Sequence, residues 1–206
     1  METGKVVVER VGGKSTVTRC FSKYPLKIIV PNKGDSISCY ISIGDSCSAV
    51  LTTQSSTKVY KSIGSKCSEQ ILEATVGRDA LLVIIPDPVT CFSTAKYYQM
   101  QIFRVFPESS LLIVDELLVV SHERGEKWDF SLYKSTNCIF LEGNEPLFLD
   151  MILLEQGSQG SIAERLQDYQ VIAMIVLWGA KVEALSESNP GRCEENDVSA
   201  IPHSFD

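Results

Sequence analysis

The chain has 206 residues, 44% of them hydrophobic and 22% charged, enough to bury one sizeable core and ordinary for a globular protein. Its formal net charge of −7 comes with no Lys/Arg block, which argues against a nucleic-acid partner, since displacing counterions from phosphates needs a clustered cationic face. Its start lacks an apolar stretch of signal-peptide length, and its longest apolar runs, at 80–85 and 171–178, fall well below the roughly 20 residues that span a bilayer; a cytoplasmic protein is expected.

Taken in chain order, the segments read mainly at period two. Ile37, Cys39, Ile41 and Ile43 alternate with Ser36, Ser38, Tyr40 and Ser42, the pattern of a half-buried strand, and Gly44-Asp45 turns the chain. Residues 48–53 form the next expected strand. Ile71–Val76 alternates and ends at Gly77-Arg78-Asp79, another turn. Ala80–Ile85 is apolar on both faces and reads as a central, doubly covered strand, ended by Pro86 and Pro88, which cannot donate to a ladder.

Strands are next expected at Tyr98–Phe106 and Ser110–Val120. Trp128–Leu132 alternates. Cys138–Leu141 and Leu147–Leu154 flank Glu142-Gly-Asn-Glu-Pro146 as a hairpin. Helix signal is confined to Ser161-Ile-Ala-Glu164, a capping-box pattern opening a short helix to about Asp168. Val171–Leu177 is β-branched and reads as a strand. From Ser186 the composition turns polar, with five acids against one arginine, so one β domain over 1–185 and a disordered tail over 186–206 are expected. No internal repeat is visible. The fold class is all-β, with one or two short helices.

Seven cysteines without a C-x-x-C pair, in a chain without a secretion signal, predict reduced thiols, most of them buried as small hydrophobes. Enzyme chemistry finds little to work with. His203 lies in the tail. His122 is the one candidate base for a nucleophilic apparatus, and no G-x-S-x-G elbow accompanies it. No phosphate-cradling glycine loop is present, so nucleotide chemistry is expected of a partner. A tight site for a borderline metal needs several His or Cys at short spacing, which the sequence lacks. It offers carboxylates beside apolar runs instead: Asp87, Asp115, Glu116, Glu126, Asp150 and Glu155. Each reads as an exposed strand-end charge or as the lining of a polar passage with weak, exchangeable metal contacts. Thr52-Thr-Gln-Ser-Ser-Thr57, followed by Lys58-Val-Tyr60, is either a solvated strand face or a hydrogen-bonding surface.

Six segments carry a family resemblance: Thr18–Lys27, Gly34–Cys39, Ala49–Tyr60, Pro86–Phe92, Gly125–Phe130 and Leu132–Asn137. Together they resemble the urease accessory protein D family, UreD or UreH, in its plant branch, over most of residues 14–180. The resemblance implies an all-β fold of helically stacked sheets. It implies a non-catalytic scaffold or chaperone that binds apo-urease, recruits the accessory proteins F and G, the latter a GTPase, and passes nickel to urease. Thr52, Thr53, Gln54, Lys58 and Tyr60 match family-motif positions. Asp115 and Glu126 match acidic positions, and the expectation is that they line the nickel route. The chain departs from the family pattern before Gly34, where a glycine-rich segment is missing, at Glu116–Ser121, where an aromatic-Thr-Ser-Gly-Arg run is replaced, and at its polar end; it resembles a shortened form. A family member unable to mature urease, and a β-rich hydrolase using His122, are the alternatives. Shortening exposes strand edges and core surface, so low stability of the isolated chain is expected.

Overall fold

The computed structural model describes residues 3–22, 36–62, 64, 66–118, 128–142, 144–157 and 160–187. Two sheets face each other, and the chain passes from one to the other in successive rungs. The first rung is β3 (Ser36–Ile43), then β4 (Ser48–Thr52) and β5 (Thr57–Val59). The second is β6 (Ser68–Val76), then β7 (Leu81–Ile85) and β8 (Val89–Cys91). The third is β9 (Lys96–Val105) and β10 (Ser110–Leu118). Leu132–Leu141 then forms β11 of the first sheet.

Before the rungs stand β1 (Gly4–Val11) and β2 (Lys14–Ser22); after them come β12 (Glu145–Glu155), the helix α1 (Ile162–Leu166), β13 (Val171–Trp178) and the helix α2 (Ala180–Glu187). The first sheet has the order β12-β11-β9-β6-β3-β1-β2. Its five inner strands, β1 to β11, are parallel, and β2 and β12 add antiparallel edges. In the second sheet β4, β7 and β10 run parallel, β5 and β8 continue them beyond a break, and β13 pairs antiparallel with β10. The expected all-β, helically stacked architecture is what the structure has.

The rungs constitute a structural repeat that the sequence does not display. Ser36 lies beside Glu69 in register, 33 positions on, and donates its hydroxyl to Glu69 Oε2 at 2.9 Å, a pairing of unlike residues. Corners, not side-chain identity, keep the rungs in step. Gly44 and Gly77 occupy equivalent bends, and Gly77 packs so closely that a Cβ there would meet Asp45 Oδ1 at 2.5 Å and Asp45 N at 2.8 Å. Asp45 Oδ1 accepts from Arg78 N at 2.7 Å, tying one corner to the next.

Two apolar clusters fill the space between the sheets. One gathers Val8, Ile41, Ile43, Ala74, Leu82, Ile84, Phe103, Leu111 and Ile113 at the Gly44/Gly77 end. The other gathers Val59, Val89, Tyr97, Leu117, Trp128, Phe130 and Tyr133 at the opposite end, with Ile162 of α1. Each large side chain so buried contributes about 1.5–3 kcal/mol.

Several expectations are corrected. Trp128–Ser131 is not strand: Trp128 sits at φ 55°, and its indole Nε1 donates to Tyr169 O at 2.8 Å, so the alternation there reflects loop packing. β7 is central, but only Val83 on its outer face is buried; Ile85 is exposed. Of the six described cysteines, all free, only Cys47 and Cys91 are buried, and Cys20 is exposed. The second of the one or two short helices expected is α2, at Ala180–Glu187, a position that periodicity did not single out. His122, Glu126, His203, Cys193 and the tail from 188 lie outside the described residues.

Candidate functional site

Strand alternation places every second residue between the sheets. In β9 this inward series is Tyr97, Gln99, Gln101, Phe103 and Val105; in β11 it is Tyr133, Ser135, Asn137 and Ile139. Register aligns them into rows across the first sheet: Gln70, Gln99 and Ser135 in one, Leu72, Gln101, Asn137 and Asp150 in the next. Two polar rows therefore cross the interior between the two apolar clusters.

Asp115 faces these rows from β10, between Ile113 of one cluster and Leu117 of the other, and is 6% exposed. A buried carboxylate is tolerated only when its oxygens are hydrogen-bonded. Gln99 Nε2 donates to Asp115 Oδ1 at 2.9 Å, Ser135 Oγ to Oδ2 at 3.0 Å, and Asn137 Nδ2 to Oδ2 at 3.5 Å. The Tyr97 hydroxyl extends the network, lying 3.4 Å from Gln99 Oε1 and donating to Gln70 Oε1 at 3.0 Å. Burial, with the Asp115 carboxylate adding to it, pushes the phenols of Tyr97 and Tyr133 far up, so both remain protonated donors.

Donors do not cover every acceptor. Asn137 Oδ1 and Asp150 Oδ2 are buried atoms with no partner, and their residues are register neighbours on β11 and β12. Asn137 also approaches the Met174 sulfur at 3.7 Å. The band therefore presents amide and hydroxyl oxygens, the carboxylates of Asp115 and Asp150, and a thioether. Among the described residues no three His, Cys, Asp or Glu side chains converge on a metal site. Such a donor set suits weak, exchanging contacts with a cation better than permanent ligation.

The other expected site residues are elsewhere. Thr52 ends β4, and Thr53 and Gln54 occupy the break before β5. Thr53 Oγ1 donates to Asp87 Oδ2 at 2.8 Å and accepts from Asp87 N at 2.7 Å. The Thr-Thr-Gln and Pro-Asp-Pro segments thus join adjacent rungs where both ladders are interrupted. Lys58 is exposed, while Tyr60 stacks on Phe92 with centroids 5.0 Å apart, again one rung on the next. The donors to Asp115 are instead Gln99, Ser135 and Asn137. Asp87 and Glu155 are exposed and Glu116 is half-buried on the outer face, as strand charges usually are; Asp115 departs from that reading, being mid-strand and enclosed. Gln99, Gln101, Ser135 and Asn137 were missed, though polar residues at inward positions of an alternating strand are their signal.

The fold and its interior define a two-sheet, rung-stacked β protein with a polar band buried between apolar clusters. The family described as "UreD urease accessory protein" matches residues 32–203, and the chain belongs to it. It is 59% identical over 209 aligned residues to "Urease accessory protein D" of Arabidopsis thaliana, covering 91% of this chain and 71% of that protein. It is 53% identical to the protein of the same name from Oryza sativa subsp. indica, covering 90% and 67%, and 34% identical to "Urease accessory protein UreD" of Anaeromyxobacter sp., covering 87% and 66%. The plant-like character expected of it holds.

Proposed function

We propose that the chain is a scaffold in urease maturation, binding apo-urease together with the accessory proteins F and G and taking part in nickel insertion in the cytoplasm. Nickel is cargo in this reading, not a resident cofactor. The observation that carries it is Asp115, a carboxylate enclosed between two sheets and held, among the described residues, by amide and hydroxyl donors. A passing cation exchanges places with those neutral donors at little cost, because Gln99, Ser135 and Asn137 present oxygens as readily as hydrogens. Their orphaned neighbours, Asn137 Oδ1 and Asp150 Oδ2, add acceptors along the same row. Glu126 belongs to the proposed route on its family-motif position. Phosphate chemistry is left to the GTPase partner.

The test is complementation of a strain lacking its D protein, reading urease activity and nickel content. The expected result is restored activity by the chain and a loss of nickel occupancy with Asp115→Asn and Glu126→Gln combined, at unchanged chain abundance. Nickel occupancy unaltered by that pair rules out their place on the route.

A further inference from the structure

We infer that the free edge of β12 is a docking edge for an extended segment of another protein, which adds a strand to the first sheet and sets a Lys or Arg opposite Asp150. Among the described residues β12 is the last strand of its sheet, and an eleven-residue edge presents a row of unpaired backbone groups. Proteins ordinarily blunt such edges with lysines or charges on the outer face. Here the outer face carries Leu147, Leu149, Met151 and Leu153, with Leu149 64% and Met151 58% exposed. The inner face carries Phe148, Ile152 and Leu154, only half-buried.

Charge selects the occupant. Glu145, Asp150 and Glu155 are the ionisable residues of β12, all acidic. A second copy paired antiparallel through all eleven residues of β12 would place Asp150 on Asp150 and Glu145 on Glu155, and like charges directly opposite destabilise a pair. Asp150 Oδ2 is buried without a donor, so the added strand gains by supplying one, and a cationic donor gains most. β2 of another copy carries Lys14 and Arg19, but joining β2 to β12 is a head-to-tail contact that builds rings or open filaments instead of a closed pair. The matching chemistry is therefore an extended heterologous segment, apolar at alternate positions, with at least one basic residue.

The probe is a displayed library of random peptides of about ten residues, the length of a long strand, selected on the purified chain. The expected outcome is enrichment of period-two apolar peptides bearing Lys or Arg, and slowed amide exchange in β12 when a selected peptide is added. Asp150→Lys should weaken that peptide by tenfold or more, about 1.4 kcal/mol. Because that change is half-buried, Leu149→Thr, exposed and strand-compatible, serves as the second variant and should also weaken it. Peptides without basic residues, a helical pattern, affinity indifferent to both variants, or sedimentation as filaments or dimers abolished by Arg19→Glu would each overturn the inference.

Discussion

At the scale of single residues, Asp115 shows how one charge organises a core. Its three donors come from two strands of the opposite sheet, so removing it strands Gln99, Ser135 and Asn137 together. Asp115→Ala should cost about 3 kcal/mol or more, and Asp115→Asn markedly less, by urea denaturation. Cys67 offers a second check. Burial first, and Glu69 next, push its thiol up to about 11. Its alkylation rate, followed by peptide mass spectrometry, should keep climbing between pH 9 and pH 11. The folded thiol stays protonated where the unfolded one ionises, so stability contributed below pH 9 is lost as pH rises through about 11. Tyr97 and Tyr133 act in the same direction. The melting temperature should therefore fall on the alkaline side.

At the scale of elements, corners and breaks are decisive. Gly77→Ala forces a Cβ into Asp45 and should cost about 1–3 kcal/mol, measured by thermal unfolding. The capping box of α1 formed as its Ser-x-x-Glu pattern implies, with Glu164 N donating to Ser161 Oγ at 3.1 Å and Ser161 N to Glu164 Oε2 at 2.8 Å. Ser161→Ala should cost about 1 kcal/mol. The turn at Gly77 and the capping box were legible because they depend on neighbours in the chain; the packing of Gly77 on Asp45, distant in sequence, was not. The strands were legible too, from alternation. Trp128 misled because a buried indole mimics a strand position, and α2 went unread because it is held by contacts such as the Lys181–Asp79 ion pair at 2.8 Å, far apart in sequence.

At the scale of the whole molecule, both sheets end in strands with apolar outer faces. Val171, Ile175 and Leu177 of β13 are exposed as Leu149 and Met151 of β12 are. The folded chain should bind a hydrophobic dye at neutral pH, and Leu149→Lys with Ile175→Lys should abolish most of that fluorescence without altering the circular dichroism. The rung repeat belongs to this scale as well. Its period is carried by corner geometry and by pairs such as Thr53 with Asp87, which join non-identical residues and so leave no sequence echo.

What the sequence alone determined was the strand-rich class, the turns, the capped helix and, through specific segments, the family. Each rests on local periodicity or on residues read in order. What only the tertiary structure decided was the meaning of those residues. Thr52–Tyr60 became a link between rungs, and Gln99, Gln101, Ser135 and Asn137 became a polar band around Asp115. Strand register brings positions some 30 apart side by side, and no local pattern encodes which inward residue will face which.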